Sequence, residues 1–207
     1  MKHELQHIIS GKSQVEHGAN IQAIASYLKN GKRTGTLVEK GIHLKKQEES
    51  LIEQFASDNS FWIPDVNIKN FVSSGAEQLV YLQNERKVLK LNDSIYYASW
   101  VDYFHNLLLN NYFFPDTAYN LLGFYKNEKA LYAVVEQNFV VATEKTELIN
   151  VKIFLENSGF VNKKSNDYFH PELGIILEDL HDENVITQDG ILKFIDTVFY
   201  LTEQFYK

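Results

Sequence analysis

The sequence predicts an α+β fold in which helices come first and an antiparallel sheet follows. Apolar residues recur at helical spacing through about the first 60 residues, short strand-like runs separated by turn residues begin near residue 70, and two further hairpin signals come later. Helices, then strands that enclose one helix, then a short mixed tail are an order typical of the α+β class.

Two amphipathic helices are predicted in the first 60 residues. An apolar stripe runs from Ile21 to Leu28, and Asn30-Gly31 follows it as a stop signal. The glycine-containing segment 32–41 is predicted to be a loop. A second stripe runs from Leu44 to Phe55, and its acidic residues, Glu48 among them, are expected on the solvent side.

Three strand-like runs separated by two turns are predicted between residues 70 and 91. They are residues 71–72, 79–82 and 88–91. A helix that begins at Trp100 is expected to end at Asn110-Asn111, because paired asparagines are common where helices stop.

The second half of the chain is predicted to contain two hairpins with a helix between them. Lys126-Asn127-Glu128 separates two apolar runs, and a helical stripe that begins at Leu148 is stopped by Ser158-Gly159. Asp189-Gly190 then separates two β-rich runs, and Asp-Gly is among the strongest short hairpin signals because both residues tolerate positive φ.

Charge and composition narrow the range of functions. With 20 Lys and Arg against 27 Asp and Glu, the net charge of −7 argues against a protein built mainly to bind nucleic acid. The absence of cysteine excludes disulfides and thiolate ligands. No apolar run approaches the ~18 residues of a membrane-spanning helix, and the first residues do not resemble a signal peptide. We therefore expect a soluble, cytoplasmic protein without a membrane partner.

A group of oxygen-bearing side chains near the end of the chain points to phosphoryl transfer. Asp179 and Asn184 are five residues apart, and the Asp189-Gly190 hairpin returns the chain to Asp196. The hairpin should leave Asn184 and Asp196 at the same open end, whichever register it adopts. Mg²⁺ prefers oxygen ligands, so Asn184 and Asp196 are candidate metal ligands, and Asp179 is the candidate catalytic residue that orients or deprotonates the acceptor.

Candidate nucleotide-binding residues precede this group in the expected order. Gly75 lies in a strand–loop–strand segment that would cover phosphates as a flap. Lys90, within the run 88–91, is placed to reach the α- and β-phosphates. Glu136, within residues 134–137, is expected in a linker whose backbone pairs with an adenine edge.

With this ordered set the chain resembles the protein-kinase-like superfamily. Asp179-Leu180-His181 with Asn184 resembles the aminoglycoside-phosphotransferase type of catalytic loop, and residues 71–200 resemble the kinase domain found in polyvalent proteins of phages and conjugative elements. The resemblance implies a minimal protein-kinase-like fold over residues 63–207, with an antiparallel N-lobe sheet that holds one helix and a truncated C-lobe. Residues 1–62 would form a helical N-terminal extension. ATP and Mg²⁺ would be the ligands, and the acceptor stays undetermined.

Several departures from the kinase pattern keep a second hypothesis open. Leu177 stands where the family has a histidine, the flap has a single glycine, and the helix at 100–109 has no Glu to pair with Lys90. Only 11 residues follow Asp196, which leaves no room for an activation segment. The alternative is therefore a pseudokinase, a nucleotide-binding or protein-interaction module of a mobile element that has lost catalysis.

A third hypothesis is a zinc hydrolase. His3-Glu4-Leu5-Gln6-His7 matches H-E-x-x-H, which places two imidazoles one helical turn apart. The motif begins at the third residue, and Ser10-Gly11 follows it soon afterwards. A solvated N-terminal helix is the simpler interpretation.

Overall fold

The N-terminal region is helical, as the sequence predicts. The computed structural model describes residues 1–31, 42–66, 70–74 and 78–207. Its first three helices are α1 (Lys2–Ile9), α2 (Gly18–Gly31) and α3 (Ile42–Asp58). The predicted loop at 32–41 lies outside the described residues.

A five-stranded sheet follows, and every strand pair in it is antiparallel. The spatial order is β1-β2-β3-β5-β4, and α4 (Trp100–Phe113) connects β3 to β4. The strands are β1 (Phe71–Ser74), β2 (Gln78–Asn84), β3 (Lys87–Asn92), β4 (Asn120–Lys126) and β5 (Leu131–Asn138). The strand predictions for this region are confirmed.

Two sequence-based expectations are wrong: that Glu48 is exposed to solvent, and that the helix beginning at Trp100 ends at Asn110-Asn111. Glu48 is fully buried instead of solvated, and its Oε2 accepts a hydrogen bond of 2.7 Å from the backbone N–H of Trp100, where a free helical donor needs a partner. The helix continues through Asn110 and Asn111 to Phe113, because both amide side chains find buried partners and do not terminate the helix.

The chain after β5 forms one helix and two smaller sheets. The hairpin pairs β9 with β10, and the four-stranded sheet has the order β11-β8-β7-β6. The elements are α5 (Leu148–Asn157), β6 (Val161–Lys164), β7 (Asp167–His170), β8 (Ile175–Glu178), β9 (Val185–Gln188), β10 (Ile191–Phe194) and β11 (Val198–Leu201). Short 3-10 helices occupy Pro115–Thr117 and Glu203–Tyr206. The sequence indicated α5 and the hairpin but not the four-stranded sheet.

Two apolar clusters lie on opposite faces of the large sheet. Val134 and Val135 are neighbours in β5 and belong to different clusters, as expected when successive side chains alternate between faces. The larger cluster joins α1, α2 and α3 to α4 and to the sheets that follow β5. A boundary at residue 62 between an extension and a domain stays a prediction. None of the helices within the described ranges is long and apolar enough to cross a membrane.

Candidate functional site

The β9–β10 hairpin brings Asn184 and Asp196 together. Val185 pairs with Phe194 at the open end of the hairpin, so the residues on either side of this pair become neighbours. The backbone N–H of Ile195 donates to the Asn184 carbonyl at 2.9 Å, and the N–H of Asp196 points to the same oxygen at 3.4 Å. The two predicted metal ligands therefore lie at the same end of the hairpin, as the turn signal predicts.

Asp179 is tied directly to Asn184 by side-chain hydrogen bonds. The Asn184 Nδ2 donates to the Asp179 carbonyl at 2.9 Å and to its Oδ2 at 2.7 Å. Asp179 has φ +67°, a left-handed conformation that aspartate tolerates better than most residues. Because the amide nitrogen makes these bonds, the amide oxygen of Asn184 remains available as a ligand.

His181 contacts Asp179, whereas the sequence favours a solvated loop histidine over a partner of a carboxylate at this position. Its Nε2 lies 3.1 Å from the Asp179 Oδ1, and its Nδ1 accepts a hydrogen bond from the Glu183 N–H at 3.3 Å. The Asn184 Nδ2 lies 3.1 Å from the same Nε2. The side chains of Asp179, His181 and Asn184 therefore form one cluster of polar contacts. The only sequence signal was its position two residues after Asp179.

Lys90 is buried and reaches the residue next to Asp196. Its side chain is 4% exposed, and Nζ donates to the Ile195 carbonyl at 2.6 Å. The Tyr119 hydroxyl donates to the same oxygen at 3.0 Å, and Nζ lies 5.5 Å from the centre of the Tyr119 ring. Burial lowers the pKa of Lys90 below its ordinary 10.5, and the negative charge of Asp196 opposes this shift. The lysine and the aspartate are thus electrostatic neighbours.

The partly buried Asp196 carboxylate is contacted by the first residue of β2. The Gln78 amide donates to the Asp196 Oδ2. Gln78 follows the predicted phosphate flap, and the flap glycine, Gly75, lies outside the described residues. The strand that leaves the flap therefore begins beside the candidate metal ligand.

Glu136 is in a strand and not in the linker that the sequence predicts. It pairs with Leu89 of β3 and with Asn120 of β4, and its carboxylate forms a 3.3 Å ion pair with Lys87. The apolar run before it continues as β5, an interior strand of the sheet, to Asn138, so the connection to the second part begins at residue 139.

A different acid in the region has a perturbed pKa. Burial raises the pKa of the Glu178 carboxyl, and the negative charges of Asp167 and Asp179 raise it further. Leu177, where the kinase pattern has a histidine, is fully buried in the main core. Glu178, directly before Asp179, is thus acidic and partly buried, and Leu177 is part of the apolar core.

Helix α4 contributes amides, not acids, to this region. The Asn110 Oδ1 accepts from the Thr197 Oγ1 at 3.0 Å, and the Asn106 Oδ1 accepts from the Phe199 N–H at 2.9 Å. Sequence reasoning missed these contacts, although three amides, at 106, 110 and 111, in a mostly apolar helix were a signal.

The donor set fits a hard divalent cation better than zinc. Asp179, Asn184 and Asp196 offer carboxylate and amide oxygens, which Mg²⁺ prefers. No group of three or more His, Asp and Glu with metal-binding geometry occurs in the described part of the chain. In α1 the His3 and His7 ring centres are 4.1 Å apart, and the Glu4 carboxylate accepts a 3.0 Å hydrogen bond from the Tyr112 hydroxyl.

A pocket of about 410 Å³ is lined by residues that include Asp116, Phe139 and Lys193. Its lining does not include Lys90, Asp179, Asn184 or Asp196. Lys90 and Asp196 are instead covered by the protein's own contacts with Ile195 and Gln78. A phosphate group would reach them only after these contacts rearrange.

Comparison with known protein families gives one match. A family model described as "Serine/Threonine/Tyrosine Kinase found in polyvalent proteins" matches residues 45–203, from within α3 to the last 3-10 helix. No curated protein and no solved structure shows a significant match. The matched region contains Lys90, Asp179, Asn184 and Asp196, and it covers well over half of the chain. The chain therefore belongs to the Kinase-PolyVal family and has a kinase-like α+β fold.

Proposed function

We propose that this protein is an ATP- and Mg²⁺-dependent phosphotransferase. The observation that carries the proposal is the pairing of Asn184 with Asp196 at the open end of one hairpin, with Asp179 hydrogen-bonded to Asn184. Three residues with oxygen-bearing side chains thus lie close together along the backbone, and a buried lysine of the large sheet contacts the residue before Asp196. This is the set of groups that phosphoryl transfer requires.

Each side chain has a distinct role in the proposal. Asn184 and Asp196 hold Mg²⁺ through their oxygens, and Lys90 neutralises phosphate charge. Asp179, held by Asn184 and His181, accepts the proton of the attacking hydroxyl. Bound Mg·ATP supplies the γ-phosphoryl group, which passes to the acceptor oxygen as the bond to the leaving ADP breaks.

The remaining candidate residues have supporting roles. Gly75 belongs to the flap over the phosphates, a role proposed from the sequence alone. Glu136 lies two residues before the end of β5, so the adenine contact is proposed for the backbone that follows Asn138. The second lobe consists of α5, the four-stranded sheet and the β9–β10 hairpin, a smaller unit than a lobe that docks peptides. Because of the small size of this lobe, we assign no class of phosphate acceptor.

The test is thermal unfolding with and without ATP and excess Mg²⁺. A ligand that binds only the folded state stabilises it by ~2.7 kcal/mol at a hundredfold excess over its dissociation constant. Asp196→Asn should abolish the Mg²⁺-dependent part of this stabilisation. Asp182→Asn is the matched control, because it removes the same charge from an exposed position in the same loop. Equal shifts in both variants would refute the metal assignment.

A non-catalytic, nucleotide-binding relative is the second candidate. It is favoured by the engagement of Lys90 with the Ile195 carbonyl and by the engagement of Asp102, the acid of α4, with the Ser99 hydroxyl at the helix start. The two candidates differ in turnover. With γ-labelled ATP, a phosphotransferase should release ADP or label itself faster than its Asp179→Asn variant. A Mg·ATP-dependent thermal shift without any such difference would identify the non-catalytic form.

A further inference from the structure

Helix α4 buries a row of amide side chains that face the second part of the protein. Asn106 and Asn110 are 4% and 0% exposed and lie one turn apart, so they share a face of the helix. Burying an amide is unfavourable unless its polar atoms are hydrogen-bonded. The contacts of these two residues therefore indicate what this face of α4 does.

Both amide oxygens bind the chain immediately after Asp196. The Asn110 Oδ1 accepts from the Thr197 Oγ1 at 3.0 Å, and the Asn106 Oδ1 accepts from the Phe199 N–H at 2.9 Å. Thr197 is 1% exposed, so its hydroxyl has no access to bulk water as an alternative partner. The Asn110 amide nitrogen also donates to the Thr117 carbonyl at 3.2 Å, which fixes the orientation of the side chain.

Hydrogen bonds also hold the chain immediately before Asp196. The Phe194 carbonyl accepts from the Thr117 Oγ1 at 2.5 Å, and the Ile195 carbonyl accepts from both Lys90 and Tyr119. Asp196 thus lies between two clamped segments, and its carboxylate is the group left to face Gln78. When the chain is held on both sides of a residue, the direction of that residue's Cα–Cβ bond is fixed.

We infer that Asn106 and Asn110 are positioning residues for Asp196, an inference that rests on the proposed function. They connect α4 to the metal site through the backbone and the hydroxyl that follow Asp196. These amides supply side-chain hydrogen bonds from α4 to the chain after Asp196, beside the stacking of the Phe113 ring on the Phe199 ring. Their loss leaves Asp196 in place as a residue but frees its carboxylate from the geometry that Mg²⁺ demands.

The test is the apparent affinity for Mg²⁺ at saturating ATP, measured by titrating the thermal shift. The test variants are Asn106→Ala and Thr197→Val, and Thr197→Ser is the conservative variant that keeps the hydroxyl. Asn92→Ala is the matched control, because Asn92 is equally buried and its Oδ1 likewise accepts one backbone N–H, that of Ser94, at 2.7 Å. Urea unfolding of each variant measures the loss of stability separately.

The expected results distinguish positioning from general destabilisation. Asn106→Ala and Thr197→Val should weaken Mg²⁺ binding about tenfold, the effect of losing one hydrogen bond at the site. Thr197→Ser and Asn92→Ala should stay within about twofold of the wild type, although Asn92→Ala loses comparable stability. If Asn106→Ala does not fold, Thr197→Val still tests the inference through the other contact, that of Thr197 with Asn110.

Two results would overturn the inference while leaving the proposed function intact. One is wild-type Mg²⁺ affinity in both Asn106→Ala and Thr197→Val, and the other is an equal loss of affinity in Asn92→Ala. A wild-type protein with no Mg·ATP-dependent shift overturns the proposed function itself, and the inference with it.

Discussion

Replacing Lys90 with methionine should separate the structural effect of its buried ammonium group from its effect on nucleotide binding. The side chain is 4% exposed and lies between β3 and the segment before Asp196. Methionine has a similar length and no charge. The Ile195 carbonyl keeps the Tyr119 hydroxyl as a partner, and Asp196 keeps the Gln78 amide. Each of these oxygens therefore keeps one hydrogen-bond donor after the substitution.

The expected change in stability at neutral pH is small. Replacing buried charged groups with apolar ones of similar volume is often neutral or stabilising, because the desolvation cost disappears with the charge. In the variant the half-buried Asp196 loses a favourable neighbour, which works in the opposite direction. We expect the free energy of unfolding of Lys90→Met to lie within about 1 kcal/mol of the wild type at pH 7.

The difference between the two proteins should depend on pH with a defined sign. Burial lowers the pKa of Lys90 in the folded state below the ordinary 10.5. Between the lowered value and 10.5 the unfolded chain binds the proton more tightly, so the wild type becomes more stable as the pH rises through this window. Below the window the lysine is protonated in both states, and the full cost of its buried charge is present. Lys90→Met lacks this dependence.

Urea unfolding from pH 7 to 10.5 measures the effect of the substitution on stability. The Mg·ATP-dependent thermal shift at pH 7 measures its effect on nucleotide binding. Lys90→Met should lose the nucleotide shift, which is ~2.7 kcal/mol at a hundredfold excess over the dissociation constant. Lys126→Met is the control, because it removes an exposed lysine of the same sheet whose ion pair with Glu53 is worth little. An undiminished thermal shift in Lys90→Met would refute the assignment of Lys90 to phosphate binding. A decrease of more than about 3 kcal/mol in the free energy of unfolding at pH 7 would show that the charge of Lys90 stabilises the fold.

Two further predictions concern contacts that hold the fold around the site. Glu48→Ala should lower the free energy of unfolding by about 1–2 kcal/mol, and Glu48→Gln by clearly less, because glutamine keeps an oxygen for the Trp100 N–H; urea unfolding of both variants at pH 7 checks this. Gly123→Ala should cost more than about 2 kcal/mol, because its Cβ would lie 2.2 Å from the Phe61 carbonyl oxygen. Gly190→Ala, where φ is +76° and no atom lies within 4 Å, should cost only about 1 kcal/mol in the same assay, and equal losses would contradict the steric argument.

The parts of the fold that the sequence predicts are those set by local chemistry. The Asp189-Gly190 turn has positive φ at both residues, 51° and 76°, and this conformation alone brings Asn184 and Asp196 to one end of the hairpin. The helical stripes and the first three strands follow from periodicity in the same way. Their partners are neighbours in the chain, so a local pattern carries the necessary information.

The features that the sequence does not predict depend on distant partners. Each strand of the four-stranded sheet is only four residues long, and β11 pairs with β8 across the loop at 179–184 and the β9–β10 hairpin. Glu48 lies on the face that a helical wheel assigns to solvent, and only the position of Trp100 explains its burial. Glu136 is in β5 because β3 and β4 flank it on both sides. Such pairings are decided by tertiary packing and leave no local pattern.

The start of the family match inside α3 has a physical explanation in the contacts of that helix. Lys45, the first matched residue, donates to the carbonyls of Ser94 and Ile95, and Glu48 binds the first N–H of α4. The N-terminal half of α3 therefore holds the loop and the helix start that precede the amides at 106 and 110. Those amides in turn hold the chain after Asp196. The match that begins at residue 45 therefore includes the whole series of contacts from α3, through α4, to the candidate metal site.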